Sequence, residues 1–309
     1  MKDFVGFKNI IQGFDDRVEN DKLSHAHLII GAEGIGKSLI ARIFALKILG
    51  KTIEKEYADI INYRPKKTSF GVDEVRNIIE EVSKKPYEGD KKVIIIHKGD
   101  KLTIQAQNAL LKTIEEPPKG VYIILLSESL ELMLETIKSR CQIYKLTPLK
   151  RNEMERYIGR LGNIQEDKRL VALAYSEGIP GRAERVLKDD KLSELRQLII
   201  ELLGEINTKN KSIILEYEEK LGTYKEQKEE VLNLLISFIR DIVVYKELED
   251  RDKIINIDKY NDIKILTEEL SYKKLNSMLE YIKKTRIKFK NNVSYSMAIS
   301  VMLIGFLEG

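Results

Sequence analysis

Apolar residues in the first half of the chain fall into two alternating patterns. Residues 27–30, 92–96 and 121–126 are short runs of strand length, nearly continuous in aliphatic side chains. Between them, residues 38–49 run without a helix breaker. Val72, Val75, Ile78, Ile79 and Val82 recur at helical spacing, and a helix over 105–115 must stop before Pro117 and Pro118. Unbroken apolar strands point to burial on both faces. Their alternation with helices predicts an α/β domain, a parallel sheet covered by helices.

Beyond Thr147 and Pro148 the strand pattern stops. Residues 151–161 and 167–177 read as short helices, and Gly178-Ile179-Pro180-Gly181 interrupts the chain before another. From about Lys191 everything reads as helix. Val231, Leu234, Leu235, Phe238 and Ile242 form an apolar stripe with charge opposite, and residues 294–307, apolar on most sides, predict a buried helix. The expected organisation is an α/β domain at 1–147, a small helical domain at 148–190 and an all-α domain at 191–309.

A chain of 309 residues, 43% hydrophobic and 33% charged, has room for two or three domains with substantial cores. No apolar run approaches the ~20 residues that a membrane helix needs. Asp3, Lys8, Asp15 and Asp16 interrupt any apolar leader, and Cys141 is the single cysteine, which excludes an internal disulfide or a cysteine zinc site. The expectation is a cytoplasmic protein with no membrane association. A net charge of +4 lacks the concentrated basic character of a dedicated DNA binder, so any nucleic-acid contact must come from local patches or from partners.

Chemistry enters at Gly31-Ala-Glu-Gly34-Ile-Gly36-Lys37-Ser38, which satisfies the phosphate-loop spacing between an apolar run and a helix. The glycines let backbone amides turn inward around a phosphate, the following helix presents its positive end, and Lys37 adds a charge. Ser38 would offer a hydroxyl to Mg²⁺. A hydrolase also needs acids at the end of a neighbouring strand. The candidate strand, 93–96, exits instead through His97-Lys98-Gly99-Asp100. Asp100 stands three residues past the first missing acid, and a lysine would repel the metal. Hydrolysis at this loop is therefore not expected, and no metal site is assigned.

Ser24-His-Ala26 before the loop, Ala106-Gln-Asn-Ala-Leu-Leu-Lys-Thr-Ile-Glu-Glu-Pro-Pro118 after the strand, and Thr136-Ile-Lys-Ser-Arg140-Cys141 resemble the AAA+ clamp-loader subunits of bacterial DNA polymerase III. The likeness covers the first 150 residues closely. It continues through Gly178-Ile-Pro-Gly-Arg182-Ala183, then Phe238-Ile-Arg-Asp241 and Asn291-Asn-Val293. It implies an AAA+ domain, a helical lid and a helical collar that assembles a five-membered ring. The implied partners are delta and gamma or tau subunits, with the sliding clamp (beta) and primed DNA reached through the assembly.

Within the family, the motor branch would carry an Asp-Glu pair at 97–98 and a four-cysteine zinc module. Their absence resembles the delta-prime branch, although many of its members keep the zinc. The resemblance implies that Arg140 projects into a neighbouring subunit's ATP site as an arginine finger, and that Arg182 senses nucleotide in the same chain. Ser127 takes the place of a polar sensor. The intact loop (Gly31, Gly34, Gly36, Lys37, Ser38) leaves binding of ATP or ADP with Mg²⁺ open. Two alternatives stand: an active AAA+ ATPase, or a scaffold in which Arg140 merely pairs with a carboxylate.

Overall fold

The computed structural model describes residues 5–65, 69–206 and 212–308. Two compact units emerge: Met1–Arg160 with Glu177–Gly181, and Leu161–Ser176 with Arg182–Gly309. The stretch expected as a small helical domain, 148–190, is shared between them.

In the first unit, β1 (Ala26–Ile30), β2 (Ile60–Tyr63), β3 (Lys92–Ile96), β4 (Val121–Ser127) and β5 (Gln142–Lys145) form one sheet in the order β2-β3-β4-β1-β5. Every pairing is parallel, as expected. Alternating residues along each central strand feed two separate cores. Val93 and Ile95 of β3 join Phe14 of α1 (Lys8–Glu19) with Ile40 and Phe44 of α2 (Lys37–Ile48). Ile94 and Ile96 face the other way, toward Val75 and Ile78 of α3 (Val72–Ser83) and Leu110 of α4 (Ile104–Glu115). Two strands, β2 and β5, and the helix α1 were not anticipated from the residue pattern. Both strands lie at sheet edges.

Register decides what meets what. Ile30 of β1 pairs with Ser127 of β4 and Lys145 of β5, and Ile96 of β3 pairs with Leu125. The carboxyl ends of β1, β3 and β4 therefore share one rim, which carries the glycine loop, His97 and Ser127. At the opposite rim the fully buried Lys92 donates to the carbonyls of Glu81 and Lys84 at the end of α3, at 3.1 and 3.0 Å, and to the Glu81 carboxylate at 3.0 Å. Burial pushes the Glu81 carboxyl up, but hydrogen bonds from Lys84 and Lys92 outweigh it and leave the acid below its usual range. A cation at a helix carboxyl end also meets the favourable end of the helix dipole. This knot locks the start of β3 to α3. A short helix, α5 (Glu135–Lys138), leads into β5, and α6 (Arg151–Gly159) closes the unit.

The second unit is helical: α7 (Glu166–Ser176), α8 (Pro180–Lys188, its first two residues in the other unit), α9 (Asp190–Glu205), α10 (Ser212–Gly222), α11 (Lys228–Leu248), α12 (Tyr260–Glu269), α13 (Tyr272–Lys290) and α14 (Tyr295–Glu308). The 21-residue α11 is its axis, packing on α9, α12 and α13. Its apolar stripe is buried as the sequence predicts, from Val231 to Ile242. The last helix departs from expectation. Ala298, Ile299, Met302, Leu303 and Phe306 are buried against α10 and α13, whereas Met297, Val301 and Ile304 stay exposed along the opposite face.

Two charged side chains, Asp241 and Arg196, are buried in this unit among the described residues. Asp241 of α11 is fully buried and accepts hydrogen bonds from the amides of Ile255 and Asn256 and from the Asn256 side chain. Beside it, Arg196 of α9 makes a two-pronged bond to Asp258, at 3.0 and 2.7 Å, and a further one to Asn256. Together they pin the turn between α11 and α12. Replacing Asp241 with Ala would take an acceptor from the buried amide and side chain of Asn256 and the partner from Arg240, so a loss of about 3–5 kcal/mol is expected in urea unfolding of the full chain. By contrast, Lys283→Ala, which removes an exposed pair with Glu280, should leave the urea midpoint unchanged.

Candidate nucleotide site and arginine turn

The loop from Gly31 to Gly36 leaves β1 and enters α2 head-on. Gly31 donates its amide to Ser127 at 3.2 Å, and Ile35, fully buried, anchors the middle of the loop. Two glycines are required by geometry. Gly34, at φ 83°, receives the Gly181 amide at 3.0 Å, and a side chain there would run into Gly181 backbone. Gly36, at φ 107°, occupies left-handed space that other residues avoid, with open room beside its α-carbon. The first turn of α2 carries no acid, so its positive end is uncompensated. Lys37 reaches over the loop and donates to the carbonyls of Gly31 and Ala32 at 2.6 and 3.0 Å. Burial lowers its pKa, while Glu128, Asp100 and Glu33 act in the opposite sense.

The next rim position is held by His97, immediately after β3. Its Nε2 lies 2.9 Å from Oδ1 of Asn62, and its Nδ1 lies 3.4 Å from the Ser38 hydroxyl. The Asn62 oxygen can only accept, so Nε2 carries the proton and Nδ1 accepts from Ser38. Burial, with the charge of Arg64 acting the same way, pushes the imidazole down to about 4, which keeps it neutral. Lys98 follows in left-handed conformation, at φ 53°, and is exposed. Asp100 accepts the Glu128 amide at 3.1 Å, and Ser127 donates to the Ser129 carbonyl at 2.8 Å. The five residues expected on the loop therefore converge, and Ser38 is joined to His97.

Arg140 lies elsewhere. It follows α5 and precedes β5, whose Gln142 pairs with His27 near the start of β1. The phosphate loop leaves the other end of β1. Strand rise alone places the two roughly 15 Å or more apart along the sheet. The guanidinium forms an ion pair with Glu115 at the end of α4 and donates to the Thr136 carbonyl at 3.0 Å. Its side chain is 38% exposed and that of Glu115 40%, so the pair sits at the surface. Cys141 is buried, and burial pushes its thiol up to about 12, which removes it as a nucleophile. Arg182 is the third residue of α8, half-buried, and belongs to the second unit.

Two site residues escaped the sequence reading. Asn62, which orients His97, sits on edge strand β2, and only the pairing of β2 with β3 brings it there. Glu115, the partner of Arg140, lies in a stretch read for its family likeness and not for its charge.

Comparison with known proteins bears on the whole chain. Residues 6–150 match the family described as DNA polymerase III, delta subunit, and residues 190–307 match its C-terminal family. The chain is 26% identical over 310 residues to the DNA polymerase III subunit delta' of Bacillus subtilis, covering 94% of this chain and 93% of that protein. It is also 26% identical to the DNA polymerase III subunit tau of the same organism, over 98% of this chain but only 61% of tau. Among solved structures, a DNA polymerase III gamma subunit-related protein from Thermotoga maritima superposes with a TM-score of 0.58 at 19% identity, over 96% of this chain and 98% of that one. At that identity the likeness speaks for the fold: an AAA+ α/β domain followed by helical domains. On the two family matches and the curated relatives, the chain belongs to the clamp-loader delta-prime family of bacterial DNA polymerase III subunits.

Proposed function

We propose that this chain is a largely non-hydrolysing stator of the clamp loader, lending Arg140 to the ATP site of a neighbouring subunit. In this reading residues 191–309 form the collar that joins delta and gamma or tau subunits, and residues 148–190 form the lid. The assembly works in the cytoplasm, opening the sliding clamp and placing it on primed DNA. The phosphate loop keeps the capacity to hold ATP or ADP, with Arg182 reporting its presence.

The observation that carries this reading is the split of the catalytic parts. The cradle is intact, yet the strand exit beside it carries a neutral His97 and a cationic Lys98 where a motor needs acids. Meanwhile Arg140 lies toward the other end of the β1–β5 pair from its own loop. A guanidinium there has no phosphoryl group of its own to serve. Placed at a subunit boundary, its fixed planar charge suits the negative charge that builds up as phosphate is transferred.

The ion pair with Glu115 favours a second reading, in which Arg140 is structural. Magnitudes separate the two. A surface pair of this exposure contributes at most about 1 kcal/mol, whereas arginine fingers contribute on the order of 10³ in rate. Reconstituted with delta and gamma or tau subunits, the wild-type chain is expected to give a defined pentamer. Arg140→Ala should assemble equally well and melt within a few degrees of wild type, while clamp-stimulated ATPase falls by about two to three orders of magnitude. Unchanged ATPase would leave Arg140 structural. For the loop, calorimetric titration should give nucleotide binding that weakens by about tenfold or more in Lys37→Ala, and an unaltered affinity would remove Lys37 from the site.

A further inference from the structure

The fold family implies Mg²⁺ beside the phosphate loop, and the residues of this chain do not fit it. Mg²⁺ takes oxygen ligands in strict octahedral geometry, with protein carboxylates usually supplying one or two of them next to the phosphates. Here the corresponding rim holds Ser38, His97 and Lys98. The Ser38 hydroxyl gives its proton to Nδ1 of His97, and the opposite ring nitrogen is tied to Asn62. The His97 side chain is buried, so it is held in that place. Glu128, Asp100 and Glu33 are the acids whose charge is felt at Lys37. One Asp100 oxygen accepts the Glu128 amide, and the other lies 3.9 Å from the Lys101 ammonium. Among the described residues, no group of three or more His, Cys, Asp or Glu side chains is arranged to hold a metal ion.

We infer that this loop takes a nucleoside di- or triphosphate as readily in its metal-free form as in its magnesium complex, because the Asn62–His97–Ser38 chain puts a neutral imidazole acceptor where a metal-using loop puts a carboxylate. The inference rests on the nucleotide-binding part of the proposed function. The physical reason is one of differential contact. A site can prefer the metal complex only through contacts with the metal that the free nucleotide lacks. One neutral hydroxyl is a weak contact of that kind. Against it stands the greater negative charge of the free nucleotide, which Lys37 and the helix end attract more strongly. Lys98 is near enough for its charge to be felt at Lys37, and it opposes a divalent cation in the same place.

The test is calorimetric titration of the full chain with ATP and with ADP, once in EDTA and once in excess Mg²⁺. The two dissociation constants should agree within about threefold for each nucleotide. His97→Asp supplies a carboxylate that accepts from Ser38, and the exposed Asn62 amide can turn to donate to it. In that variant Mg²⁺ should tighten ATP binding by about tenfold or more. Tightening of that size in the wild-type chain would overturn the inference while leaving nucleotide binding in place. An absence of heat in both buffers would overturn the loop reading and the inference with it. Thermal melting shows whether His97→Asp folds, and if it does not, the wild-type comparison decides alone.

Discussion

The glycine-loop end of the sheet is organised around one buried imidazole. His97 can hold its place because β3 runs through the middle of the sheet, fixed on both sides by parallel pairing and tied at its start by the Lys92 knot to α3. From there the ring reaches Asn62 on one side and Ser38 on the other. It satisfies both partners without carrying charge. A carboxylate in that place would attract a divalent cation and support water activation. The imidazole leaves the glycine loop in place and adds no negative charge beside it.

A parallel sheet gives the chain two chemically distinct rims. The rim at the carboxyl ends of β1, β3 and β4 collects backbone amides, a helix amino terminus and Lys37, all suited to phosphate. The turn before β5 presents Arg140 toward the other rim, paired at the surface with Glu115. The arrangement keeps the glycine loop and the arginine turn apart within one chain. The helical unit contributes differently. Its polar network around Asp241 and Arg196 fixes one turn between helices, while the exposed Met297, Val301 and Ile304 leave part of α14 apolar at the surface.

How far the sequence could be read follows from burial. β1, β3 and β4 are the interior strands, covered on both faces, and their unbroken aliphatic runs made them visible. β2 and β5 are edges, half exposed and mixed in polarity, so residues such as Asn62 and Gln142 disguised them. The glycine loop was legible because its chemistry is local in sequence. The hydrogen bond of His97 to Asn62 was not, since it joins residues 35 apart through strand pairing. The same holds for Arg140 and Glu115, which meet only when α4 and α5 pack. In the helical half, α11 was plain from its periodicity. The apolar residues on most sides of α14 suggested a buried helix, yet Met297, Val301 and Ile304 stay in solvent.

The proposed division of the active site is tested most directly by following phosphate release from γ-labelled ATP with the isolated chain in excess over nucleotide, in saturating Mg²⁺. A neutral imidazole and an ammonium in place of the acids predict release no faster than in buffer alone. Release well above that background, abolished in Lys37→Ala, would mean that this chain runs its own hydrolysis and would contradict the assignment of its chemistry to a neighbouring subunit.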